Sequence, residues 1–140
     1  MSNKIILKKL AQRKLEEFHR WCRVSNLFHE QTESFDNWLI PPLEFDPENF
    51  KLSKNSWQRE APEEVNEIIK AVNAIARPRH RAILIMSYIS PEKIQSAEQA
   101  QRLGIKSSTY YLTKNEALVE FANCYRDGVI KNDKYTQGIV

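Results

Sequence analysis

Apolar residues recur at helical spacing over most of the chain. From Lys4 to Val24 the residues Ile6, Leu7, Leu10, Leu15, Phe18, Trp21 and Cys22 follow mostly at three- and four-residue steps without Gly or Pro, which predicts one long N-terminal helix. Farther on, Pro62-Glu63-Glu64 opens a helix with proline in the first turn and acids at the positive end of the dipole. Val65, Ile68, Ile69, Val72, Ile75 and Ala76 continue it along one inward-facing stripe. Pro78 marks its end or the start of the next helix, Arg79 to about Ile89, which is apolar on all sides at its centre and is expected to be buried.

Residues 25–60 have another character. Pro41-Pro42, Pro47 and scattered acids interrupt Phe28, Phe35, Trp38, Leu39, Ile40, Phe45, Phe50 and Trp57, and no period is sustained. The segment is a connector whose aromatic density predicts docking on a surface. The favoured surface is the protein's own core; a partner such as RNA polymerase is the alternative.

After Ser90-Pro91 the pattern is that of two short helices around a tight turn. Ser96 and Gln99 have the spacing of a capping box, and Ala97, Ala100 and Leu103 form an inner face on which the small Ala100 allows a close crossing. Gly104 stands where a turn needs positive φ. Ile105 plugs the turn into the core, Lys106 or Ser107 caps the next helix, and Tyr110, Thr113 or Lys114, Ala117, Leu118, Phe121 and Tyr125 form its inner stripe. Together these are the geometric needs of a helix-turn-helix over roughly residues 79–125; a plain helical hairpin with a polar face is the alternative.

On that geometry Lys106, Ser107, Ser108, Thr109, Tyr111, Leu112, Lys114 and Asn115 point outward at the start of the second helix. Hydroxyls and backbone N–H groups suit phosphates, Asn suits an adenine edge, and Thr or Tyr suits a thymine methyl. Within the cluster Arg77, Arg79, His80, Arg81, the residues Arg79 and Arg81 are candidates for reaching the DNA backbone.

Charge adds to this picture through its distribution. The net charge of the 140 residues is only +3. Residues 1–24 hold seven Lys/Arg against two Glu, residues 25–70 four against ten acids, and residues 71–140 ten against six. Two basic segments thus flank an acidic one, as expected where the ends face phosphate and the middle faces protein or solvent. The N-terminal stripe either packs on the domain or on a second copy, or its basic faces touch DNA directly; its length leads us to expect a homodimer.

Other chemistries find little footing. Cys22 and Cys124 stand in unrelated contexts without metal-ligand spacing, and His19, His29 and His80 belong to no nucleophile or metal motif. Phosphate-loop, dinucleotide-binding and zinc-protease spacings do not occur, so neither an enzyme nor a cofactor is expected. The longest apolar run, Ala82 to Met86, is too short to span a bilayer, and Met1–Lys9 lacks a secretory cleavage pattern, so a cytoplasmic location without membrane contact is expected.

Three stretches, Pro78 to Tyr88, Gln99 to Ile105 and Ser108 to Ala122 with its Tyr110-Tyr111 pair, Lys114, Ala117-Leu118 and Phe121-Ala122, resemble the ArpU-type regulators of Gram-positive phages and prophages. That resemblance implies a helix-turn-helix like the fourth region of bacterial sigma factors, binding a promoter or operator and controlling late phage genes. The expectation is therefore an all-α fold: an N-terminal basic amphipathic helix (1–24), an acidic aromatic-containing connector (25–60), a helix-turn-helix domain (61–130) and a tail (131–140). Its function would be sequence-specific binding of double-stranded DNA in transcriptional regulation, with RNA polymerase or a sigma factor as a further partner. The rivals are a small-terminase-like packaging protein and an interaction module that binds sigma or polymerase.

Overall fold

A computed structural model describes residues 3–25, 36–45, 48 and 56–128, all of whose regular structure is helical. The helices are α1 (Asn3–Glu16), α2 (Phe18–Ser25), α3 (Ser56–Asn73), α4 (Pro78–Leu84, continued by a π-helical turn over Ile85–Ile89), α5 (Ser96–Leu103) and α6 (Ser107–Cys124). Single 3-10 turns occupy Asp36–Trp38 and Tyr125–Asp127.

The expected single N-terminal helix is two. Glu17 breaks it: its N–H bonds the Lys14 carbonyl at 3.2 Å, and its carboxylate accepts from the Trp21 indole at 3.0 Å. The break lets α1 pack on α6 while α2 turns onto α3. Leu7, Ala11, Leu15, Phe18 and Cys22 all enter the main core, so the stripe packs within its own chain. Burial around Cys22 pushes its thiol up to about 11, as suits an inert packing residue.

The connector docks on its own core where it is described. Ile40 and Leu43 are buried, and Trp38 packs at the edge of the core. Their extended backbone lies along α3, where two asparagines seven residues apart hold it like rungs. The Asn73 amide donates to the Ile40 carbonyl and accepts the Ile40 N–H, both at 2.8 Å. Asn66 does the same for Leu43 at 3.1 and 2.7 Å. Phe28, Phe35 and Phe50 lie outside the described residues, as does the tail 131–140.

α3 begins earlier than expected, at Ser56, with Pro62 inside it rather than in its first turn. An internal proline forfeits one backbone hydrogen bond and crowds the carbonyl four residues back. Burial of Ala61, Pro62 and Val65 offsets that loss. From there Ile68, Ile69, Val72 and Ile75 join Leu84, Ile85, Ile89, Ala117, Leu118 and Phe121 in the principal core. The stretch Ala82–Met86 is buried on every side, as its composition predicts. No helix among the described residues is long and apolar enough to cross a membrane.

Candidate nucleic-acid interface

The turn between α5 and α6 is built by backbone chemistry. Gly104 adopts φ 66°, ψ 35°. The Ile105 N–H reaches back to the Ala100 carbonyl at 3.0 Å and the Gly104 N–H to the Gln101 carbonyl at 3.1 Å, the paired bonds of a Schellman cap. Ile105 then tucks against Ile83, Ala100 and Tyr110, which fixes where α6 starts. Lys106 is the N-cap, with its carbonyl accepting the Tyr110 N–H at 2.8 Å and no bond from its side chain.

The expected capping box is absent. α5 starts at Ser96 with Gln95 as its cap residue, and the Gln99 side chain turns inward instead. There its carbonyl oxygen accepts the Tyr110 hydroxyl at 2.8 Å and the Ser87 hydroxyl at 3.2 Å, while its amide donates to the Ile94 carbonyl at 2.9 Å. One buried amide thus ties α5 to α6, to the end of α4 and to the loop between α4 and α5. Sequence reasoning missed this role, although Gln99 stands four residues before the inward-facing Leu103. Ala97, placed on the inner face by its spacing, is exposed.

Tyr110, Thr113, Ala117, Leu118, Phe121 and Tyr125 are buried, as the inner stripe predicted. Lys106, Ser107, Ser108, Thr109, Tyr111, Leu112 and Asn115 are exposed together along the first half of α6. Two are large apolar groups held in water, Tyr111 at 56% and Leu112 at 65% exposure. Lys114 differs from the expectation: it is half-buried, with its ammonium 5.4 Å from the centre of the Tyr88 ring. Desolvation there pulls its pKa down against the opposing pull of Glu16. The ring beneath it belongs to a tyrosine whose buried hydroxyl lacks a hydrogen-bond partner among the described residues.

The basic cluster at the start of α4 divides. Arg77 and Arg79 are exposed, Arg77 facing Glu116 at 3.8 Å. His80 is buried between Glu120 at 2.9 Å and Glu116 at 3.6 Å, tying α4 to α6. Arg81 also points inward, contrary to its expected place on the DNA side. Its guanidinium donates to the carbonyls of Ile75 (2.5 Å), Ala76 (3.2 Å), Asn37 (2.9 Å) and Trp38 (3.3 Å). Asn37 and Trp38 hold left-handed backbone at φ 54° and 57°, so Arg81 organises a strained turn as well as the end of α3. Its place in the buried stripe, three and four residues before Leu84 and Ile85, is the signal for this role.

No group of metal-ligating side chains occurs among the described residues. The first half of α6 thus presents hydroxyls, an amide, an ammonium and two apolar tips to solvent.

The sequence matches, over residues 53–122 and thus half of the chain, the family described as Protein of unknown function (DUF1492). It is also similar to a protein of Streptococcus phage O1205 provisionally named as the autolysin regulatory protein ArpU, with 27% identity over 124 residues that cover 86% of this chain and 87% of that protein. No solved structure matches it.

Proposed function

Since the chain belongs to the DUF1492 family, we propose that it is a phage or prophage regulator that binds double-stranded DNA at specific sequences through α5 and α6, in the manner of a sigma region-4 helix-turn-helix. The carrying observation is the joint between these helices. A left-handed Gly104, the Ile105 plug and the Gln99–Tyr110 bond present the first half of α6 as a rigid, exposed face of hydroxyls, an amide and apolar tips. On this reading α6 enters the major groove. Ser107, Ser108 and Lys106 meet phosphates, Asn115 meets a base edge, and Tyr111 and Leu112 meet thymine methyls. Arg79, exposed at the start of α4, meets the backbone. A regulatory role is supported by the name carried by the phage relative, whose length this chain nearly matches.

The test is to retain sheared genomic DNA of the source on the purified protein and sequence what is held. A narrow set of fragments sharing one motif is expected. Retention indistinguishable from bulk DNA removes the sequence-specific reading, and no retention at low salt removes DNA binding altogether.

A further inference from the structure

α1 divides its residues between two environments. Leu7, Ala11 and Leu15 sink into the core against α6. On one flank Lys14 is committed inward, to Glu17 at 3.3 Å and Glu64 at 3.4 Å. The remaining surface is basic: Lys9 and Arg13 are exposed, Lys8 is half-buried, and no acid precedes Glu16 in the sequence.

This basic surface has a definite neighbour. Ile5, Lys9, Gln12 and Glu16 recur at i, i+4, i+7 and i+11 and so share a flank. The Gln12 amide donates to Glu16 at 3.0 Å, and Glu16 lies near enough to Lys114 and Tyr88 for its charge to act on both. α1 also touches the π-helical turn that carries Tyr88. Lys114 stands one turn from Tyr111 and next to Asn115. The flank opposite Lys14 therefore lies alongside the half of α6 that bears the exposed polar face.

We infer that the outward flank of α1, through Lys8, Lys9 and Arg13, is an auxiliary phosphate-binding surface that contacts the DNA backbone beside the groove α6 enters. This rests on the DNA-binding reading above and extends it. Lysine ammonium groups act on phosphate as point charges without reading a base edge, so the surface supplies affinity common to all sequences. It also accounts for the strongly basic character of a segment whose apolar half is already occupied by the core.

The experiment measures binding of the full chain to a synthetic random-sequence duplex across rising salt. A Lys9→Gln, Arg13→Gln double variant is compared with an Arg59→Gln, Lys70→Gln variant, which removes the same charge from exposed positions on α3. Each lost phosphate contact lowers the slope of log affinity against log salt by about 0.9, so the α1 variant is expected to be shallower by roughly 2 while the α3 variant keeps the parent slope. Preference among sequences should stay as in the parent. An unchanged slope in the α1 variant overturns the inference, and so does an equal drop in the α3 variant, which would assign the effect to overall charge. If the parent fails to hold duplex even at low salt, the DNA-binding reading falls and takes this one with it.

Discussion

The Tyr110 hydroxyl donates to the side-chain carbonyl of Gln99 at 2.8 Å, joining α6 to α5 inside the protein. Removing the hydroxyl as Tyr110→Phe leaves Gln99 still accepting from Ser87 and should cost about 1 kcal/mol. Gln99→Leu strands the buried Tyr110 hydroxyl and the Ile94 carbonyl together, at about 1–3 kcal/mol for each. Urea denaturation of both variants checks the order; equal losses would show that the amide is not the hub.

The exposed and buried residues of α6 should separate cleanly. Ser108→Ala, Thr109→Ala, Tyr111→Ala and Leu112→Ala are expected to keep the parent melting temperature and to lose about 1–3 kcal/mol of discrimination wherever a base contact is removed. Tyr110→Ala, which empties a fully buried site, should instead lose roughly 3–5 kcal/mol of stability. Melting curves and operator binding on the same variants decide it. If all four exposed variants bind as the parent does, α6 is not the reader.

Much of this arrangement is legible in the sequence, and what is not has physical causes. Apolar spacing located α6, the buried α4 and the inner faces because burial of one stripe imposes the period. Gly104 was legible because a left-handed residue so often closes a helix. The break at Glu17 was not, since it depends on α1 and α2 packing on different helices, which local spacing does not encode. By residue type Arg81 reads as a phosphate contact, Gln99 as a capping residue and Lys114 as an outward-facing DNA contact or, in place of Thr113, a member of the inner stripe. Their roles come from distant partners: the carbonyls of residues 37–38 and 75–76, the Tyr110 hydroxyl and the Tyr88 ring. Polar residues within an apolar stripe are where type-based assignment fails.

Arg81 should behave as a structural residue. Arg81→Lys replaces a planar fork by a single ammonium that cannot serve both the end of α3 and the Asn37–Trp38 turn. Bonds from charged donors contribute about 1.5–3 kcal/mol each, so a loss on the order of 3 kcal/mol is expected. Held at a temperature where it remains folded, the variant should bind DNA with parental affinity. Weakened binding without lost stability would return Arg81 to the DNA side.

Acid should destabilise the fold through Glu64. Burial alone would raise its pKa, but hydrogen bonds from Tyr125 and Arg126, with the charges of Lys14 and Arg126, hold it below the ordinary 4.5. A carboxylate with a lower pKa in the folded state binds fewer protons there than in the unfolded chain. Its contribution is therefore complete above about pH 4.5 and is lost as pH falls through the lower folded value. Unfolding free energy measured from pH 6 down to pH 3 should decline, and Glu64→Gln should be less stable at pH 6 yet show a flatter decline. A variant as steep as the parent would place the acid sensitivity elsewhere.

Gly104 tests the turn itself. Its φ of +66° is left-handed, yet a Cβ built there would meet nothing within 4 Å. Gly104→Ala therefore carries the backbone cost without a clash, about 1–2 kcal/mol. Asparagine, which tolerates this conformation better than alanine, should cost less, whereas a β-branched Gly104→Val should cost more than either. Because the Gln99–Tyr110 bond and the Ile105 plug still fix the start of α6, Gly104→Ala should bind operator DNA as the parent does wherever it is folded. The order Asn, Ala, Val in thermal unfolding, together with unchanged affinity for Gly104→Ala, is the expected result. An alanine variant as stable as the parent would mean that the turn does not hold glycine in the left-handed region, and the geometry that presents α6 would need to be redrawn.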